Sequence, residues 1–246
     1  MQKALDWVKQ RRNVWVLFTK ELSGYFNSPI AYIVIIVFSL ICGWFFASNI
    51  FIGGVVTISN YLNVVPLIFT FFIPAITMRL FAEEVRSGTI EVLTTLPVKD
   101  YEIILGKYLS AVALIAIGIL MTLIHPLTLS ILGKVDAGQI IGSYKGLFLM
   151  GAMFASIGLF SSVITKNQIV AFIAGFVICF AFFMIGNSLD YIPAGLIPLF
   201  EYIGIGSHFE NIAKGVIDSR DVIYYLSVIS IFYILTLSAF SSRRWK

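Results

Sequence analysis

The sequence predicts an all-α, polytopic membrane protein: six transmembrane helices preceded by an amphipathic helix lying in the membrane interface. Three observations carry that expectation. The 246 residues are 59% hydrophobic and only 12% charged, about half the charged share of an ordinary soluble domain. Six apolar runs are long enough to cross roughly 30 Å of hydrocarbon as helix, which takes about 20 residues. Charged residues gather between these runs, as the cost of placing a charge in hydrocarbon demands. A single membrane domain over residues 1–246 is therefore expected.

Residues 1–27 interleave Lys3, Lys9, Arg11, Arg12 and Lys20 with Leu5, Trp7, Val8, Trp15, Leu17, Phe18 and Leu22. Ala4, Val8, Trp15, Phe18 and Leu22 form one helical stripe, with Lys9, Arg12 and Asn13 off it. A basic amphipathic helix with Trp on its apolar side suits the membrane interface; a soluble tail packed on a partner is the plainer alternative. The first 28 residues lack the apolar core of a cleaved secretory signal, so the amino end is expected in the cytoplasm. Ser28 and Pro29 start the next helix, Ser28 as cap and Pro29 at the first helical position, where its missing N–H costs nothing. The first span is expected over 30–51. An uncharged turn with Gly53, Gly54, Ser59 and Asn60 leads to the second, 61–78, which holds Pro66 and Pro74. Each proline frees a backbone carbonyl that a neighbour must satisfy.

The third span, 108–132, is expected to break near Pro126, beside His125. Residues 133–144 read as a short outer loop. The fourth span, 146–164, carries Gly146, Gly151, Ala155 and Gly158, small residues that let helices approach closely. An inner turn with Lys166 leads to the fifth span, 169–186. The segment 188–221 reads as two short half-buried helices on the outer face. Pro193 and Pro198 bracket the first apolar piece, and Ser207 with Glu210 fits a capping box opening a helix toward Lys214. The sixth span is 222–240. With both ends inside, 13 of the 17 basic residues fall on inner segments; Lys134, Lys145, Lys214 and Arg220 fall on outer ones. That asymmetry satisfies the positive-inside rule, and predicts a multi-pass protein of the inner (cytoplasmic) membrane with both termini cytoplasmic.

Several function classes are disfavoured. Cys42 and Cys179 lie in apolar runs and make no disulfide framework or metal-ligand spacing. Basic residues sit at helix ends, as topology requires, rather than in a nucleic-acid-binding patch. All charged residues lie outside the six expected spans, which leaves His125 as the lone titratable candidate for ion coupling. His125 reads as a polar residue satisfied by the backbone that Pro126 opens. A phosphate-cradling Gly-rich loop, a catalytic triad, a metal cluster and a mid-membrane carboxylate pair are all missing from the sequence. The chain is expected to be no enzyme and to hold no metal or cofactor of its own.

The segment from Arg79 to Lys107 stands apart, with nine charged residues between two strongly apolar runs. The second helix is expected to continue through Met78 to Ser87, supported by ion pairs Arg79–Glu83 and Glu83–Arg86 at helical spacing. Gly88 breaks it. Thr89 to Leu96 reads as a short helix stopped by Pro97, with Ile90, Leu93 and the aliphatic face of Val92 and Leu96 available for docking. Asp100 is the expected cap of the next helix. A solvated hairpin joining two spans is the alternative.

Two phrases, FAEEVRSGTIEVLTTLPV at 81–98 and HFENIAKGVIDSRDVIYYLS at 208–227, resemble the membrane-spanning subunit of ABC type-2 transporters. The resemblance covers nearly the whole chain and is closest to the gliding-motility type; permeases serving cofactor-enzyme maturation are similar too. It implies that the loop between the second and third spans holds a coupling helix seated in a cleft of a separate ATP-binding subunit. Glu83, Glu84, Arg86, Ser87, Gly88, Thr89 and Glu91 match the cytosolic motif, and Ile90 and Leu93 are its apolar docking positions. Glu210, Gly215, Asp218, Arg220 and Asp221 match an outer motif that shapes the short helices before the sixth span. The implied complex pairs two membrane subunits, as homodimer or heterodimer, with two ABC ATPases that bind ATP and Mg.

The expected function is ATP-driven substrate export or extraction, with ATP hydrolysed in trans. An assembly subunit that passes force to an extracytoplasmic partner through residues 188–221, without transport, is the main alternative. An ion-coupled carrier depending on His125 is a second.

Overall fold

The computed structural model describes residues 2–51, 59–91, 98–132, 136–188, 193, 195–215 and 218–244. Backbone polar groups in an apolar surrounding must be satisfied within the chain, and a helix does so locally. All the elements among the described residues are helices: α1 (Gln2–Asn27), α2 (Pro29–Phe51), α3 (Ser59–Thr77), α4 (Arg79–Ser87), α5 (Asp100–Met121), α6 (Ile124–Leu132), α7 (Ala137–Ile164), α8 (Gln168–Asn187), α9 (Ile197–Ile203), α10 (Ile205–Ala213) and α11 (Ser219–Arg244). Among the described residues, six stretches are long and apolar enough to cross a membrane: Pro29–Ser48, Val64–Ser87, Asp100–Ile131, Ala137–Ile164, Gln168–Asn187 and Ser219–Ser242. The second joins α3 to α4, and the third joins α5 to α6.

Helix α7 is the axis of the bundle, packed by α3, α5, α8, α10 and α11. Its most apolar window is 78% buried, against 17% for α2 and α8, so those two helices present long apolar faces outward. Small residues let neighbours approach α7. A Cβ at Gly151 would lie 2.9 Å from Ile115 Cγ2 on α5, one at Gly158 would collide with Thr77 Oγ1 on α3, and one at Gly142 with the Ile212 carbonyl on α10.

The third span breaks at Thr122 and Leu123, between α5 and α6, rather than at Pro126 itself. The reason is the missing Pro126 N–H, which leaves the Thr122 carbonyl without its usual helical donor. Tyr144 Oη on α7 donates to that carbonyl at 2.9 Å, and the His125 N–H reaches it at 3.0 Å. His125 is buried and stacks on Phe46, with ring centroids 4.6 Å apart.

Other expectations are corrected. Residues 137–144, read as loop, are the first turns of α7, because Asp136 Oδ1 accepts the Gly138 N–H at 2.8 Å and caps the helix early. Lys145 therefore sits inside a membrane-length helix, as does Lys107 in α5. Ser59 and Asn60 belong to α3 rather than to a turn. Helix α5 begins at Asp100 with Lys99 at the cap position; the Lys99 N–H donates to Glu102 Oε2 at 3.0 Å, which displaces Asp100 from the expected capping role. Ser207 lies within α10 and donates to the Glu201 carbonyl at 3.0 Å, so the Ser207–Glu210 capping box does not form. The turn at Gly53 and Gly54 lies outside the described residues.

Helix α1 packs along α5. Gly106 makes this possible, since a Cβ there would come 2.7 Å from Leu17 Cβ. The face of α1 turned to the bundle carries Leu17, Glu21 and Tyr25, while Trp15 is 65% exposed on the other side. Trp15, with the Phe18 ring tilted beside it at a centroid distance of 5.1 Å, presents an aromatic surface outward.

Candidate functional site

The end of the bundle where α4 projects gathers α1, α4, the start of α5, and the ends of α7 and α11 around one apolar cluster. Leu17, Leu80, Phe81, Ile103, Val163 and Phe240 are buried there together. Helix α4 is strongly two-faced. Leu80, Phe81 and Ala82 are buried, while Glu83, Arg86 and Ser87 are exposed. Its first turn is held from below: the Phe81 and Ala82 N–H groups donate to Ser162 Oγ of α7 at 2.7 and 3.2 Å, satisfying donors that a helix start leaves open. The Phe81 ring packs on Phe240 of α11 with centroids 5.4 Å apart.

Lys107 of α5 is the electrostatic centre of this end. Its side chain is 2% exposed, and its Nζ lies 2.8 Å from Glu84 Oε1 on α4 and 3.1 Å from Glu21 Oε1 on α1. The same ammonium sits 5.2 Å from the centroid of Phe81, a cation–π approach that adds to the node. One buried cation thus ties three helices together. Such a charge is tolerable only with partners, and removing one leaves the others stranded. A cavity of about 290 Å³ opens beside the node between α1 and α4, with Lys20, Gly24, Tyr25, Arg79 and Glu83 on its walls. Tyr25 Oη donates to the Ile76 carbonyl at 3.1 Å. Burial, and after it the charge of Glu21, pushes the Tyr25 phenol well above its ordinary value, so it remains a neutral donor.

The predicted motif residues divide by facing. Arg79 pairs with Glu83 at both carboxylate oxygens, 2.9 and 3.1 Å. The expected Glu83–Arg86 pair does not form, since the Glu83 carboxylate is turned to Arg79; Arg86 projects free into the exterior. Glu84 faces inward to Lys107. Gly88 ends α4 with φ 75°, a left-handed conformation that favours glycine. Ser87 Oγ and Thr89 Oγ1 lie 2.9 Å apart across this break. Ile90 packs back on the apolar cluster, while Thr89 and Glu91 are exposed. Leu93, with the rest of the expected short helix at 92–97, lies outside the described residues.

At the opposite end, α9 and α10 form a hairpin against α7, α8 and α11. The outer motif does not converge on one point. Asp218 Oδ1 accepts the Arg220 N–H at 2.9 Å at the start of α11. Gly215 ends α10 at φ 87°, close to the Gly138 backbone. Glu210 pairs with Lys214 on the surface at 3.3 Å, and Arg220 is exposed. Asp221 alone is buried, and its Oδ1 lies 2.7 Å from His208 Nδ1. His208 Nε2 lies 3.1 Å from the Tyr202 carbonyl, the ring stacks on Tyr224 at 4.0 Å, and Tyr224 Oη donates to the Ile203 carbonyl at 2.6 Å. Sequence reasoning missed His208 as a structural pivot. Its only signal was its place at the head of the second matching phrase, because the separation of His208 from Asp221 fits no helix-face spacing.

Six membrane-length helices among the described residues, α7 at their centre, with a charged helix tip packed against the bundle, define a multi-pass helical membrane protein. Residues 15–245 match the family described as "ABC-2 family transporter protein", and the chain belongs to that family. Members are the membrane component of ABC transporters, distinct from the ATPase with which they work. None of the curated proteins matches the chain.

Proposed function

We propose that this chain couples ATP hydrolysis by two separate ABC ATPases, which bind the ATP and Mg, to export or extraction of a substrate, as one of a pair of membrane subunits. On this reading it resides in the inner membrane with both termini cytoplasmic, and it works in the manner of the gliding-motility-type permeases. One observation carries the reading: the outer face of α4 and its tip, with Arg86, Ser87, Thr89 and Glu91, is exposed, while the inner face is locked to α7 by Ser162 and to α5 and α1 by Lys107. A push on the tip is therefore delivered to three other helices at once. The chain supplies docking and transmission, and the partner supplies the energy.

The test uses Arg86→Glu in the assembled complex. The expected result is loss of permease-stimulated ATPase activity and of ATPase co-purification, with an unchanged unfolding midpoint, because Arg86 is exposed and forms no ion pair among the described residues. Wild-type stimulation and binding in Arg86→Glu would overturn the docking role. Charge reversal at Glu84 is a poor substitute, since it also strands Lys107.

Force transmission to an extracytoplasmic partner has one specific observation in its favour. Helix α9 has no buried residue, yet the hairpin is pinned to α11 through His208 and Asp221, the arrangement of a rigid platform. Leu199→Asn on α9 separates the readings: lost partner binding with intact flux supports transmission, and lost flux supports transport.

A further inference from the structure

A groove of about 690 Å³ runs between α5 and α7, on the half of the bundle that carries α10. Its walls are apolar, formed by Ala116, Ile119 and Leu120 of α5 and Ile141, Phe148 and Leu149 of α7. Leu120 is 59% exposed and Ile141 55%, so the groove opens sideways, toward the surroundings of the bundle. Among the described residues, one charged side chain lines it, Lys145. Lys145 is exposed and forms no ion pair with any described residue.

Lys145 lies on α7 about 12 Å from Ala137 along the axis, at 1.5 Å per residue, and within a membrane-length span. A lysine there is costly unless its ammonium reaches a headgroup or an anionic partner. Lys145 lines the same apolar wall that an acyl chain would follow, and among the described residues no carboxylate lines the groove to compete for the charge. An apolar trough with a single cation is complementary to an amphiphile with a hydrocarbon body and one negative charge.

We propose that this groove binds an anionic phospholipid of the surrounding bilayer, with an acyl chain between α5 and α7 and the phosphate on Lys145. The site is separate from the α4 tip, and it rests on the membrane-spanning fold rather than on ATP coupling. Its failure and the failure of the transport reading are therefore distinguishable. Bound lipid would fill the space beside the Thr122–Leu123 break, where α5 gives way to α6, and would stiffen that joint.

The test reconstitutes the full chain in phosphatidylcholine bilayers with trace spin-labelled phosphatidylglycerol or phosphatidylcholine of identical chains. The motionally restricted fraction is read by electron paramagnetic resonance. Wild-type protein is expected to prefer phosphatidylglycerol about fivefold, the effect of one lysine near a membrane surface. Lys145→Gln should bring the two lipids to parity, Lys145→Arg should keep the preference, and Ala116→Phe, which fills the trough, should lower the restricted fraction of both. Equal restriction of the two lipids by wild-type protein, or a preference that survives Lys145→Gln, would overturn the proposal. So would a disulfide joining two copies that carry Ile141→Cys, because a second copy would then cover the groove.

Discussion

The Lys107 ammonium lies 2.8 Å from the Glu84 carboxylate, joining the first turns of α5 to α4 at a point 2% exposed on the lysine side. Glu21 of α1 completes the node from the other side. Helices that belong to three separate stretches of chain are therefore tied together at this end.

Breaking the node should be costly. Lys107→Met leaves two carboxylates facing each other in a mostly buried site, and Glu84→Lys opposes two cations there. Each should lower the unfolding free energy by about 3–5 kcal/mol. Combining Lys107→Met with Glu21→Gln and Glu84→Gln should recover most of the loss, because no unpaired charge remains. Denaturant or thermal unfolding in detergent checks both; a Lys107→Met midpoint equal to wild type would show that the node contributes nothing.

Gly158 and Thr77 mark the closest crossing of α7 and α3. Gly158→Ala places a methyl where the Thr77 side chain already sits, and overpacking of this kind costs about 1–3 kcal/mol. Thr77→Ala in the same chain removes the colliding hydroxyl and leaves the Thr77 Cβ at 2.9 Å, so it should recover part of the midpoint. Failure of that rescue would place the strain elsewhere.

Among the described residues no atom lies within 4 Å of a Cβ added at Gly88, so its φ of 75° is what opposes substitution. Gly88→Ala should cost about 1–2 kcal/mol, and Gly88→Asn less, since asparagine tolerates the left-handed region. Equal losses for the two variants would point to a contact rather than a backbone cause.

His208→Ala leaves Asp221 buried without its partner and frees the Tyr202 carbonyl. A lost buried hydrogen bond costs about 1–3 kcal/mol. The effect should be local: amide hydrogen exchange over residues 197–213 should speed at least tenfold while α7 is unchanged. Uniform acceleration across the bundle, or none, would remove His208 from its role in holding the hairpin.

Much of the fold was legible before any coordinates. Six apolar runs with charges at their ends admit little besides six helices, because hydrocarbon forbids open backbone and unpaired charge. The Arg79–Glu83 pair, the small residues of α7 and the stop at Gly88 were readable as well, since each depends on near neighbours or on one residue's backbone freedom. Local capping was read less well. Asp136 lengthened α7 to include Lys145, and Lys99, its N–H held by Glu102, took the cap position given to Asp100.

What only the tertiary structure decided is which way the charged residues face. Glu84 and Arg86 stand two positions apart and look alike in the sequence, yet one faces Lys107 and the other the exterior. The partners that separate them are distant: Lys107 lies 23 residues from Glu84 and 86 from Glu21, and His208 lies 13 from Asp221. Sequence periodicity reports the faces of a single helix. The neighbours of those faces are set by how α1, α4, α5 and α11 pack, so the sequence alone determined a membrane bundle with a charged tip, and packing decided which charges hold that tip and which remain free to meet a partner.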